Sequence, residues 1–230
     1  MILEIKDITK SYGHTKAANN VSFNIQKGEI VGFLGPNGAG KSTTMKIISG
    51  CTNYNKGEVI INNINLKENP IQAKEQIGFL PESNPLYEDM YIYEYLDYVA
   101  GLYPTIKNRR ERIEQVIQQT GITPQRNKRI NQLSKGYKQR VGIAQAIIHD
   151  PHLIILDEPT SGLDPNQTEE IHKLLLSLKE NKGILFSSHT LSEVATICTR
   201  IVFINKGEIK ADLQKNEIED LDYLFKKLTK

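Results

Sequence analysis

Cysteine is scarce in this sequence. Cys51 and Cys198 are the only two in 230 residues, and they stand far apart in neither metal-ligand nor redox spacing. That excludes a disulfide framework and a cysteine-built metal site, and it fits a reduced, cytoplasmic protein. Charge of one sign is not in excess either: 29 basic residues against 27 acidic ones leave a formal net charge of +2. A broad nucleic-acid footprint needs a strong basic bias, so no nucleic-acid partner is expected. No apolar run approaches the ~18 residues that cross a bilayer. The first ten residues, MILEIKDITK, carry four charges and no apolar core, so they do not read as a secretory leader. Low-complexity tracts and internal repeats are missing. What is present is ordinary, 39% hydrophobic and 24% charged residues in a chain long enough to bury a core without staples.

Hydrophobic periodicity then divides the chain. Alternation over residues 1–6 reads as a strand, with a turn at Tyr12-Gly13 and a second strand over 21–25. Lys27-Gly28 reads as a hairpin turn into the apolar strand 29–34, and a Gly-rich loop leads to a helix over 41–49. Lys56-Gly57 turns into a short strand pair around 58–61. The middle changes character. Six of the ten tyrosines fall between Tyr87 and Tyr103, and Ile92, Tyr95, Leu96 and Val99 have amphipathic helical spacing. Ile113, Val116 and Ile117 repeat it, which predicts an all-helical lobe over 84–150. Beyond it come a strand at 153–156, a helix at 165–180, a strand at 184–187, a helix at 191–198, a hairpin at 201–209 and a short charged helical tail over 212–230. Strands alternating with helices predict a parallel sheet covered on both faces.

Between the strand at 29–34 and the helix that follows lies Gly35-Pro36-Asn37-Gly38-Ala39-Gly40-Lys41-Ser42-Thr43, a match to G-x-x-x-x-G-K-[ST]. Glycines let successive backbone N–H groups close around a phosphate, and the helix dipole points at the same anion. Lys41 is expected to reach the β- and γ-phosphates, and the Ser42 hydroxyl to ligate Mg²⁺. A second apolar strand, Leu153–Leu156, ends in Asp157 and Glu158. Carboxylates at the C-terminal edge of a buried strand fit the ligand crevice of an open α/β sheet. Asp157 is assigned to the Mg²⁺ shell and Glu158 to the proton of an attacking water, because phosphoanhydride hydrolysis needs positioning, charge neutralisation and an oriented water. Taken alone, such a pair reads better as a surface strand cap; beside the phosphate loop the metal and base roles are preferred.

These residues suit many nucleotide-hydrolysing proteins. A narrower signal is Leu133-Ser134-Lys135-Gly136-Tyr137-Lys138-Gln139-Arg140 before an apolar helical stretch. With it the chain resembles, over nearly its whole length, the ATP-binding subunit of an ABC transporter, whose signature is Leu-Ser-Gly-Gly-Gln. Lys135 and Tyr137 depart from that signature, while Ser134 and Gly136, which the family uses on phosphate, are kept. The resemblance implies an α/β fold with a P-loop NTPase core, a mixed, mostly parallel sheet, an N-terminal antiparallel β subdomain and an inserted α-helical subdomain. It implies one cassette over 1–230, with the ATP-binding core at 1–83 and 151–211, the helical subdomain at 84–150 and a tail at 212–230.

Further positions follow from the same resemblance. Tyr12 stands where the family stacks an aromatic on adenine, although a lone tyrosine after a strand is also ordinary edge packing. Ser161-Gly162-Leu163-Asp164 resembles the loop through which two such subunits touch, and His189 resembles the switch histidine at the γ-phosphate. Glu82 occupies a position where many members carry Gln, and it is expected on Mg²⁺ and the attacking water. The segment Gly78-Phe79-Leu80-Pro81-Glu82 resembles exporter subunits, gliding-motility-associated ones included. The implied partners are a second ATP-binding subunit, in an ATP-dependent homodimer, and an integral membrane transporter subunit. That subunit would hold the chain on the inner face of the plasma membrane and meet it at the tyrosine-rich lobe. Two other classes compete: an ABC-type ATPase without a membrane partner, and a non-hydrolysing nucleotide-binding regulatory module.

Overall fold

In the computed structural model, which describes residues 1–229, the apolar runs become strands arranged in two sheets. Strands β1 (Leu3–Tyr12) and β2 (Thr15–Ile25) form a long hairpin, and β4 (Lys56–Ile61) and β5 (Ile64–Asn65) complete an antiparallel sheet in the order β2-β1-β4-β5. The second sheet holds β3 (Ile30–Leu34), β6 (Ile77–Leu80), β7 (Leu153–Asp157), β8 (Gly183–Ser187), β9 (Arg200–Asn205) and β10 (Glu208–Gln214) in the order β10-β9-β3-β8-β7-β6. All its pairs are parallel except β9–β10, which is a hairpin. The fold is therefore α/β with a mixed, mostly parallel sheet, as expected.

The strands of the parallel sheet read as continuous apolar runs because both faces are buried. Ile30, Leu34, Ile154, Leu156, Ile184, Phe186, Ile201 and Phe203 face one core, and the alternate residues Val31, Phe33, Leu153, Ile155, Leu185, Val202 and Ile204 face another. The second core lies against the antiparallel sheet and α1 (Lys41–Ile48). The first lies against the helices α3 (Ile92–Gly101), α4 (Arg109–Gln119), α5 (Lys135–Ile147), α6 (Pro165–Leu178) and α7 (Leu191–Ile197). Three layers result, with the parallel sheet in the middle. Within the helical lobe, Tyr95, Leu96, Ile113, Val116 and Ile117 are all buried, as their spacing predicts.

Helix α5 is held at both ends. The Ser134 hydroxyl accepts the Tyr137 N–H at its N-terminus. At its C-terminus the Arg112 guanidinium donates to the carbonyls of Ile147 and Ile148 at 2.7 and 2.8 Å. A cation on the last carbonyls satisfies acceptors that no helical N–H can reach, and it complements the dipole.

Several local readings need correction. Lys27-Gly28 does not close a hairpin, because β2 and β3 belong to different sheets. The strands read at 1–6 and 21–25 are the far halves of one long hairpin that runs out to the Gly13-His14 turn. Helix α2 (Pro70–Glu75) and edge strand β6 carry too few residues for a period to register. The tail at 212–230 is not helical throughout: β10 runs to Gln214, a 3₁₀ turn covers 215–217, and helix α8 covers Leu221–Thr229. Leu221, Leu224, Phe225 and Leu228 of α8 pack on the main core, so that helix is amphipathic rather than merely charged; Lys230 lies outside the described residues.

Candidate nucleotide site

The site grows from the C-terminal ends of β3, β7 and β8, which the parallel pairing brings side by side. After β3 the chain turns sharply under β9 and β2. A Cβ on Gly35 would lie 2.1 Å from the Ile204 carbonyl oxygen. Gly40, at φ +106°, caps α1 where a Cβ would lie 2.2 Å from the Ala17 carbonyl oxygen. Only glycine fits at either position. Helix α1 has no acidic residue in its first turn, so its N–H groups are open to an anion.

Lys41 is 7% exposed, and its Nζ donates to the carbonyls of Gly35 at 2.7 Å and Pro36 at 3.2 Å. Burial pushes its pKa down, while the carboxylates of Glu158, Asp157 and Glu82 pull it back up. The lysine thus closes the loop on itself and faces three acids.

At the end of β7, Asp157 is 2% exposed and accepts the Ser187 hydroxyl at 2.7 Å. The same Ser187 oxygen accepts the Glu158 N–H at 2.9 Å. Glu158 sits at φ +53°, a left-handed conformation that disfavours a branched or long side chain by roughly 1–3 kcal/mol unless its surroundings hold it. Ser187 is one such hold. Its replacement by alanine leaves the buried Asp157 carboxylate and the Glu158 N–H each without a partner. Ser187→Ala is expected to lower stability by about 1–3 kcal/mol in a denaturant titration; an unchanged midpoint would remove Ser187 from this role.

The Glu158 carboxylate turns toward His189. Its Oε2 lies 2.6 Å from His189 Nδ1 and accepts the His189 N–H at 3.3 Å. The imidazole is largely exposed, while the Glu158 side chain is nearly covered. Both residues border a cavity of about 590 Å³, together with Asn37, Gly38, Ala39, Gly40, Lys41, Ser42, Thr43 and Glu82. Gly35 and Pro36 form the base of the loop and hold Lys41.

Seven predicted residues do not border this cavity: Gly35, Pro36 and Asp157 stay tied to its rim through Lys41 and Ser187, and four lie elsewhere. Tyr12 lies at the tip of the first hairpin, 54% exposed, with the Lys10 ammonium 4.8 Å from its ring centre. Ser134 caps α5, and Gly136 packs so closely on α6 that a Cβ would lie 2.8 Å from Gln167 Oε1. Asp164 caps α6 by accepting the Gln167 N–H at 2.9 Å. Lys135 folds over Gly162 on the same surface. The signature segment and the Ser161–Asp164 loop are thus neighbours, and of the two only the loop, at Ser161, borders the cavity of their own chain.

Ala17, which carried no signal in the sequence, also borders the cavity, as does Ser161, which the sequence placed only in the subunit-contact loop. Among the described residues no cluster of three or more His, Cys, Asp or Glu side chains could hold a metal by itself, and no helix is long and apolar enough to cross a membrane.

The sequence profile described as "ABC transporter" matches residues 18–161, more than half of the chain. The chain belongs to this family. It is one of the family's ATP-binding ATPase cassettes. It is 36% identical to the lantibiotic transport ATP-binding protein SrtF of Streptococcus pyogenes, over 97% of this chain and 96% of that one. It is 38% identical to the ABC transporter ATP-binding protein NatA of Bacillus subtilis, over 91% and 89%. Among solved structures, a chain described as the ATP-binding subunit of an ABC transporter superposes over the full length of both chains with a TM-score of 0.90 at 31% identity. The cassette also matches the dimeric bacterial ABC transporter cassette MJ0796, with a TM-score of 0.83 at 30% identity over 93% of this chain and 99% of that one. MJ0796 has further been solved in a post-hydrolysis state bound to ADP and phosphate.

Proposed function

We propose that this cassette hydrolyses ATP between two copies of itself and passes the resulting motion to a separate membrane subunit. The observation that carries the reading is the Glu158–His189 pair, 2.6 Å apart, bordering the same cavity as the Lys41 loop. Lys41 and the N-terminus of α1 bind the β- and γ-phosphates. Glu158 accepts the proton of the attacking water, and His189 exchanges its contact with Glu158 for one with the γ-phosphate. Nucleotide entry therefore frees the base it needs.

The donor set suits Mg²⁺. That ion takes one or two carboxylates together with substrate phosphates rather than an all-protein cage. Ser42, Asp157 and Glu82 would hold it, and it would neutralise phosphate charge. If Glu82 is a direct ligand, Glu82→Gln should raise the Mg²⁺ concentration for half-maximal ATPase activity by about 10-fold or more at saturating ATP. An unchanged titration argues against ligation.

Ser134 and Gly136 belong to the other half of the arrangement. They sit at a helix N-terminus, a ready anion site, and do not border the cavity of their own phosphate loop. Two copies placed head to tail bring this segment onto the partner's nucleotide, with Asp164 and its loop at the contact and Tyr12 against adenine. The dimer of MJ0796 supports this reading. ATP binds the closed pair better than the open one and so shifts the equilibrium toward closure.

The membrane subunit would dock on the tyrosine-rich lobe. Tyr87, Tyr91 and Tyr98 are exposed there, whereas Tyr95 belongs to the core. Tyr is common at interfaces. Export is favoured by relatives named for lantibiotic transport and linearmycin resistance. Phosphate release from ATP and Mg²⁺ by the purified chain, alone and beside its membrane subunit, tests the proposal; no release in either setting would refute it.

A further inference from the structure

Helix α7 begins just after His189, at Leu191, with Thr190 as its N-cap and Glu193 three positions on. That spacing ordinarily makes a local capping box, Thr side chain to Glu N–H and Glu side chain back to Thr N–H. Here it does not. Thr190 makes no side-chain cap, and its N–H donates instead to the Ser188 hydroxyl at 2.9 Å. The Glu193 carboxylate turns away from its own helix. Its Oε2 accepts two hydroxyls at once, Thr160 at 2.7 Å and Ser188 at 2.8 Å.

Both donors are buried, Thr160 at 4% and Ser188 at 1% exposure. Both also lie next to the reacting groups. Thr160 is two residues beyond Glu158, in a run of tight turns where the Ser161 N–H donates to the Glu158 carbonyl and the Leu163 N–H to the Thr160 carbonyl. Ser188 precedes His189 directly. One carboxylate oxygen therefore ties the loop that leaves the base to the loop that carries the histidine.

The tie gains importance once ATP is bound. Apart from it, the largely exposed His189 is linked to the base by its own contacts with Glu158 Oε2 and, two residues earlier in the chain, by the Ser187 hydroxyl that accepts the Glu158 N–H. The proposed mechanism opens the side-chain contact when nucleotide enters. The strand ends stay joined through Ser187 and the β7–β8 pairing, and the side-chain tie between the two loops beyond them runs through Ser188, Glu193 and Thr160. We propose that Glu193 is a positioning residue for hydrolysis: it locks the switch-histidine loop to the loop between Glu158 and Asp164. The inference rests on the reading of Glu158 and His189 as the hydrolytic pair. Since the 161–164 loop is also the proposed contact with the second copy, the same lock relays pairing of the subunits to the histidine.

Steady-state ATPase measurements on the full chain test it. Glu193→Ala should lower kcat by about 10- to 100-fold, the scale of a small misplacement in a preorganised site, with KM for ATP unchanged. Glu193→Gln keeps an oxygen that accepts both hydroxyls and should restore most of the rate. Thr160→Val keeps the branched shape and removes only the hydroxyl, and it should lose activity in the same direction. Because the two act through one bond, Thr160→Val should add little to Glu193→Ala. The inference is overturned if Thr160→Val or Glu193→Ala turns over at the wild-type rate, if their losses multiply, or if KM rises while kcat holds. Wild-type protein without ATPase activity would instead end the reading of the site itself.

Discussion

Glu158→Gln should slow ATP turnover by about 10²–10⁴-fold, the usual worth of general-base help, and leave nucleotide binding in place. The substitution keeps the shape of the side chain and an acceptor for the His189 contact. It removes the capacity to take a proton. Because the proposed pair is held closed by intact ATP, a variant that binds without splitting should accumulate as a dimer. Size-exclusion chromatography with ATP and Mg²⁺ is expected to give a species of twice the mass for Glu158→Gln and mainly monomer for the wild type after turnover. A variant with ordinary phosphate release would take the base role from Glu158. A slow variant that stays monomeric would leave that role standing and remove ATP as the bond between subunits.

Lys41→Ala should remove measurable nucleotide binding. Charge-assisted hydrogen bonds contribute about 1.5–3 kcal/mol each, so loss of the contacts to the β- and γ-phosphates corresponds to roughly 10²-fold or more in affinity. The ammonium already bonds the Gly35 and Pro36 carbonyls, so ATP has to draw it from one set of acceptors to another. Titration with a fluorescent ATP analogue reads the effect. Affinity equal to the wild type contradicts the phosphate assignment.

Much of this molecule could be read from residues alone, for identifiable reasons. The buried strands at 30–34, 153–157 and 183–187 stand out because two-sided burial demands uninterrupted apolar sequence. The phosphate loop stands out because Gly35 and Gly40 meet neighbouring carbonyls at distances no Cβ tolerates and Gly38 holds a positive φ, which leaves little freedom in the sequence. Other features depend on contacts that local sequence does not encode. Ala17 reaches the cavity through the register of β1 and β2, and that register shifts at three places along the pair. Ser187 matters because β8 pairs with β7 in parallel and sets it opposite Asp157. Glu193 looks like a helix cap until Thr160, 33 residues earlier in the chain, is seen to hold it. Residues 212–214, Asp-Leu-Gln, are too short a run to separate a strand end from the helical tail that follows, and their pairing with β9 comes from the preceding turn.

Helix α5, pinned by Ser134 at one end and by Arg112 at the other, leads through a short connection to the strand that ends at Asp157. The piece that would greet a neighbouring molecule's triphosphate and the piece that serves the molecule's own are thus rungs of one stiff ladder. A displacement at the first is carried along thirteen helical residues rather than absorbed in slack chain. In the proposed pair, events at the two nucleotides would then be coupled through the backbone itself, independently of any further subunit.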